Sequence, residues 1–188
     1  MTHRTRLVLA TVALMFLSGC GGTAGSQASP SVDTVMNNLS PLPSPETAKW
    51  LSFDANLKTA TVTAVAGVPG IENTFNFNGY THGKLVITIP KGWSVTVRCT
   101  DHPLAGTAHS CSVVRSAGTN TPAFPGSTLP DPMGTGWVGP DQTKTFQFVP
   151  DAPMVGRLAC LLTGHEAAGM WLTFRVSTAG EPSLGTLK

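Results

Sequence analysis

Val155-Gly-Arg-Leu-Ala-Cys160-Leu-Leu-Thr-Gly-His165-Glu-Ala-Ala-Gly-Met170-Trp-Leu-Thr-Phe-Arg175-Val176 is the stretch on which the reading of this chain turns. Val155 to Leu162 reads as a strand leading into a loop. Met170 to Ser177 reads as a strand leading out of it, with Trp171, Thr173 and Arg175 opposite Leu172, Phe174 and Val176. The loop between them carries a thiol (Cys160), an imidazole (His165) and a thioether (Met170). A second imidazole, His109, stands upstream beside another β-like segment. Two His, one Cys and a weak axial Met form the ligand set of a trigonal copper site for electron transfer. Thiolate and thioether suit Cu(I), and imidazole suits both oxidation states. Each residue alone has an ordinary explanation: Cys160 as a buried core thiol, His165 as a loop residue after glycine, Met170 as core beside Trp171. The combination between two strands points to copper. Zinc also takes Cys and His, but a structural zinc site rarely recruits Met.

Outward from this stretch, short strand-like runs alternate with turn signals. Leu57 to Ala66 alternates Thr with Val or Ala, and Thr74 to Asn78 alternates Phe with Asn or Thr. Lys84 to Ile89 is β-branched. Trp93, Val95, Val97 and Cys99 share one face of a run whose other face is Ser94, Thr96 and Arg98. Ser112 to Arg115 continues from His109, and Thr143 to Val149 puts Phe146 and Phe148 on one face. No run of helix length has a clear 3.6-residue period. The expectation is an all-β protein built as a β-sandwich. Residues 116 to 142 form a long Gly/Pro-rich connection holding Phe124, Met133 and Trp137. It reads either as a flap beside the metal or as a surface insertion with Trp137 buried for stability.

Phe75-Asn-Phe-Asn-Gly79, Ile89-Pro-Lys-Gly-Trp93, Thr163-Gly-His165 and Gly169-Met-Trp171 resemble the sulfocyanins, a branch of the cupredoxins. The resemblance spans roughly residues 57 to 177. It implies a cupredoxin-like Greek-key β-sandwich and one type 1 copper ion, Cu(I)/Cu(II), held by His109, Cys160, His165 and Met170. It also implies electron transport between redox-protein donors and acceptors rather than catalysis, with the loop histidine, His165, as the electron port. Asn76 and Asn78, inside the resembled motif, read either as hydrogen-bonding partners that pin the copper loops or as outward polar positions of a strand. The chain departs from the family at the first histidine, set in Ala108-His109-Ser110 where Pro-His-Asn or Pro-His-Ser is usual, and His102 lies nearby. The resemblance does not account for Cys99 and Cys111.

The N-terminus reads as a targeting segment. His3, Arg4 and Arg6 precede the apolar stretch Leu7 to Leu17, and Leu17-Ser18-Gly19-Cys20 has the form of a bacterial lipobox. The apolar stretch falls short of the roughly 20 residues that span a membrane. The expectation is a signal peptide over 1–19, a lipidated flexible tether over 20–49 attached at Cys20, and a metal-binding domain over 50–188. The tether contains Pro41-Leu-Pro-Ser-Pro45, which favours extension. The protein is then held on the extracytoplasmic face of the cell membrane and is expected to act as a monomer. An oxidising compartment permits a disulfide between Cys99 and Cys111; the alternative is two free thiols. The twelve basic and ten acidic residues become equal in number once Arg4 and Arg6 are removed with the leader. No basic patch marks a nucleic-acid partner.

Three other functions compete with electron carriage. A multicopper oxidase or nitrite reductase carries a His-Cys-His relay, whereas Cys160 stands between Ala159 and Leu161. A copper storage or delivery lipoprotein calls for Met-rich or His-rich tracts, which the chain lacks. A metal-free structural lipoprotein leaves the Cys160-to-Met170 spacing unexplained. Glu166 reads as a solvated loop charge, and His82 as an exposed turn residue.

Overall fold

The computed structural model describes residues 38–188. The signal peptide, Cys20 and the first part of the expected tether lie outside the described residues. The chain forms β1 (Leu39–Pro41), α1 (Ser44–Trp50), β2 (Leu51–Asp54), β3 (Thr59–Ala66), β4 (Leu85–Pro90) and β5 (Ser94–Asp101). It continues with β6 (Ser112–Val114), β7 (Thr143–Phe148), β8 (Met154–Ala159), β9 (Trp171–Ser177) and β10 (Ser183–Leu187). Six strands make one sheet in the order β1-β10-β4-β9-β8-β6, and four make the other in the order β2-β3-β5-β7. The pairs β3/β5 and β4/β9 are parallel and the rest antiparallel. Parallel neighbours require crossovers, and here each crossover passes through the opposite sheet, which gives the Greek-key sandwich.

Period-two patterning explains which faces meet. In β5 the inward positions are Val95, Val97, Cys99 and Asp101, and in β3 they are Ala60, Val62, Ala64 and Ala66. These face Leu85, Ile87, Ile89, Leu172, Phe174 and Val176 of the other sheet across one core. Phe148 stacks between Phe124 and Phe174. Each fully buried Val, Leu or Phe contributes about 1.5–3 kcal/mol relative to exposure. The outer face of β8 and β9 is also covered, by a second cluster of Val114, Ala159, Leu161 and Trp171.

Several expectations are corrected. Residues 38–49 are part of the fold rather than tether: β1 pairs with the C-terminal strand β10, and α1 runs directly into β2. Pro45 sits at the start of α1, where a missing N–H costs nothing, so the proline run starts a helix that periodicity did not reveal. Thr74 to Asn78 is not a strand. A 3-10 turn covers Glu72–Thr74, and Glu72, Asn73, Thr74 and Asn78 all have positive φ, which breaks the ladder at all but two isolated bridges from Phe77, to Ala66 and Tyr80. Residues 116–142 lie beside the Cys160 loop, where the Gly118 amide bonds Glu166, and are tied down to the sandwich. Isolated bridges tie Pro122 to Val114, Thr128 to Ser112 and Val138 to His109. Ala123, Phe124, Leu129 and Val138 fill the core, while Trp137 stays 42% exposed.

Candidate metal centre

Cys160 follows the last residue of β8, and Met170 precedes the first of β9. The Cys160 amide donates to the Met170 carbonyl at 3.1 Å, so the two residues close the base of the loop. Inside it, the amides of His165, Ala168, Gly169 and Met170 donate to Leu162, Gly164, Glu166 and His165. This chain of tight turns needs positive φ at Gly164 and Gly169. The loop is thus built from its own backbone. His165 is raised half-buried at its crest, while Cys160 and Met170 are fully buried.

His109 reaches the same place from the segment leading into β6, the neighbour of β8 in the same sheet. Its amide and carbonyl pair with Val138 at 3.0 and 2.7 Å, and its ring is fully buried. The rings of His109 and His165 lie 5.4 Å apart, and Phe75 packs on His165 at 4.6 Å. Nδ1 of His165 is 3.3 Å from Sγ of Cys160. The Ser110 amide donates to that sulfur at 3.2 Å, with the Ser110 hydroxyl at 3.7 Å. The hydroxyl is itself oriented by accepting from the Leu161 amide at 2.9 Å. Two residues on from His109, Cys111 is joined to Cys99 of β5 by a disulfide, with Cα atoms 6.1 Å apart. Cys160 is the free cysteine among the described residues.

The electrostatics follow from burial. Burial pushes the Cys160 thiol above its ordinary range, against the pull of the Ser110 and Leu162 amides. Burial, and then the neighbouring His109, push His165 below the usual imidazole range, so the neutral ring that can ligate a metal is favoured. His109 is held through Nδ1 by Oδ1 of Asp101 at 2.8 Å. Its Nε2 is buried with no hydrogen-bond partner, as is Oδ2 of Asp101.

His102, the other candidate for the upstream imidazole, turns Nδ1 toward the Leu104 amide in its own loop. Asn76 and Asn78 are buried, not outward. Asn76 donates to the carbonyls of Val68 and Ile71 and accepts from the Gly79 amide, and Asn78 bridges the Val65 amide and the Thr63 carbonyl. None of these partners belongs to the Cys160–Met170 loop or to His109. The motif bears on the site through Phe75 instead, and through Gly67, whose amide bonds the Asn76 carbonyl. Glu166 is not a solvated charge. It pairs at 3.0 Å with Arg157 of β8, buried beneath the loop, and accepts the Gly118 amide at 2.9 Å. The Arg157 guanidinium lies 3.8 Å from the centre of the Trp171 ring. His82 donates its amide to the Gly169 carbonyl at 2.8 Å, and its ring lies where a Cβ on Gly169 would fall. Asp101, Ser110, Gly67 and Arg157 were the residues that sequence reasoning missed. Asp101 continues the inward phase of Cys99, and Arg157 is a lone charge in an apolar strand; those were the available signals.

The sulfocyanin (SoxE) domain model matches residues 46–127. Over that stretch the chain resembles the sulfocyanin branch of the cupredoxins. The matched stretch contains His109 and stops before Cys160, so the downstream loop stands on the geometry just described. Among solved structures, the chain is similar to a reduced auracyanin from Roseiflexus castenholzii, at 21% identity over 62% of this chain and 96% of that one, with a TM-score of 0.43. It is similar to rusticyanin from Thiobacillus ferrooxidans, at 20% identity over 74% and 97%, with a TM-score of 0.44. It is also similar to a copper nitrite reductase from Nitrosomonas europaea, at 20% identity over 63% and 41%, with a TM-score of 0.48. The comparison with curated proteins returned no match. Among the described residues, no three His, Cys, Asp or Glu side chains stand in closed ligating geometry. The donor chemistry nonetheless fits copper: a buried thiol touching one imidazole, a second imidazole with an orphaned buried nitrogen, and a buried thioether at the base of the loop.

Proposed function

We propose that this chain is a type 1 copper protein that passes single electrons between redox partners. Cys160, His165, His109 and Met170 hold one copper ion, and the protein is a carrier, not an enzyme. The observation that carries this reading is the buried Cys160 sulfur in contact with Nδ1 of His165, with the His109 ring 5.4 Å beyond. Copper bound there supplies a one-electron Cu(II)/Cu(I) couple. The remaining work belongs to the chain. The Ser110 amide stabilises the thiolate, and the apolar flanks Ala159 and Leu161 exclude water from it. Of the four residues His165 alone is half-buried, so it offers the short route between site and surface. Cys160 has no histidine beside it in sequence to relay electrons to a second metal.

The same reading includes cleavage after residue 19, lipidation of Cys20 and a position on the extracytoplasmic face of the membrane, supported by the basic, apolar and lipobox segments in order. The chain acts there as a monomer. The test is the visible and paramagnetic resonance spectrum of the chain loaded with Cu(II). An intense charge-transfer band with narrow copper hyperfine splitting, bleached by ascorbate, is expected. Weak, ordinary copper bands would overturn electron carriage in favour of copper storage or delivery. For the anchor, Cys20→Ser is expected to release the protein from membranes into the soluble fraction.

A further inference from the structure

Residues 131–136 form a fixed turn beside the Cys160–Met170 loop. The Asp131 carbonyl accepts the Gly134 and Gly136 amides at 3.1 and 2.8 Å, and its Oδ2 accepts the Thr135 amide at 2.7 Å. Met133 lies inside that turn with 47% of its surface exposed. The same connection is fastened to the loop where the Gly118 amide bonds Glu166. An open groove runs between the two, and Met133 and Cys160 both line it, together with Leu161, Leu162 and Ala167. Glu166 lines it too, but its carboxylate is already engaged by Arg157 and Gly118. On other sides the loop is covered, by Phe75 on the His165 ring and by His82 against Gly169.

We propose that Met133 is an entry ligand for copper: its thioether captures Cu(I) in the groove and hands it to Cys160. This rests on the proposed copper site. Thioether and thiolate are soft ligands that select Cu(I). Met133 and Cys160 are the sulfur-bearing side chains of the groove, so a soft cation entering there meets the exposed one first and the buried one next. The transfer is a ligand exchange within Cu(I). The Cu–S bond to Met133 breaks, a Cu–S bond to Cys160 forms, the thiol proton leaves to water as it does whenever a thiol takes a metal, and no electron moves. Met133 stays outside the final ligand set. It therefore governs the rate of loading and leaves the colour and potential of the loaded protein alone. A methionine that only shaped the groove would act on every entering ion alike.

The experiment loads the full metal-free chain from a chromogenic Cu(I) complex and, separately, from a Cu(II) salt. It compares the rates for wild type, Met133→Leu and Met154→Leu. Leucine nearly keeps the volume and removes the sulfur. Met154 begins β8, about 20 Å along the strand from Cys160, and controls for the loss of a thioether elsewhere. Met133→Leu is expected to slow Cu(I) uptake about tenfold, which is about 1.4 kcal/mol in the barrier. Its Cu(II) uptake, its final colour and its reduction potential are expected to match wild type, and Met154→Leu is expected to load like wild type throughout. Equal Cu(I) rates for wild type and Met133→Leu would overturn the proposal, and so would equal slowing of Cu(I) and Cu(II). A second readout leaves Met133 in place. Ag(I), a soft cation without redox chemistry here, is added to Cys160→Ser and is expected to shift the Met133 methyl resonance; a resonance that does not move also overturns the proposal. A blue wild type matched in rate by Met133→Leu removes only the entry role, whereas a wild type that stays colourless after loading and oxidation removes the metal site with it.

Discussion

The two sides of the candidate centre are built on different principles. His109 sits on a segment locked to the body of the sandwich by a disulfide to β5, a carboxylate contact to β5 and paired backbone bonds to Val138. Cys160, His165 and Met170 sit on a loop closed mainly by its own turns, with outside ties from Arg157 and Gly118 to Glu166, from His82 to Gly169 and from Ser110 to Cys160. The first side is positioned by long-range structure and the second by local sequence. A site made this way keeps one fixed wall, and its spacing is set by a short cassette between two strands.

The largest effect should come from the cassette. Cys160→Ser is expected to abolish the intense visible band of the copper-loaded protein; a variant that stays blue would remove Cys160 from the ligand set. The fixed wall should answer differently. Cys99→Ser combined with Cys111→Ser is expected to cost about 3 kcal/mol in denaturant unfolding while leaving the copper colour in place. Loss of colour would mean that the wall depends on the disulfide for its geometry as well as its stability. Gly67→Ala attacks the wall at its tightest point. The new methyl falls on Ala105 and His109 at a φ of +74°, so a loss of about 1–3 kcal/mol is expected, with a shifted copper spectrum. An unchanged spectrum would show that the wall yields. Glu166→Ala removes the clamp on the cassette and leaves Arg157 buried without its acid. Because Glu166 is partly exposed, the expected loss is about 2 kcal/mol, below the range for a fully buried pair. If stability is unchanged, the loop does not depend on its tie to Arg157.

The difference between the two sides also explains what could be read from sequence. The Cys160-to-Met170 cassette is contiguous, so its residue types and spacing were visible without a fold. The alternation of Val95, Val97 and Cys99 likewise announced β5 and its inward face. Asp101 was hidden because an acid after such a run usually marks the end of burial, and its partner lies in a segment that only the fold brings alongside. Glu166 looked solvated among small residues, since Arg157 meets it only when β8 passes beneath the loop. The Thr74–Asn78 run misled as a strand because its polar residues serve positive φ and backbone bonds rather than an outward face. β1 and β10 are too short or too weakly patterned to announce themselves, and their pairing joins the two ends of the described chain.

That last pairing has a mechanical consequence. Lys188 donates its amide to Asn38, Leu187 donates to Lys84, and His82 and Gly83 bond Gly169 and Trp171. Asn38 therefore enters the sandwich at the pole that carries the Cys160–Met170 loop, about 14 Å away across three strand spacings. Anything that holds the chain upstream of Asn38 grips the molecule at the pole of the candidate metal centre, and the opposite end of the sandwich is the one held farthest from that grip.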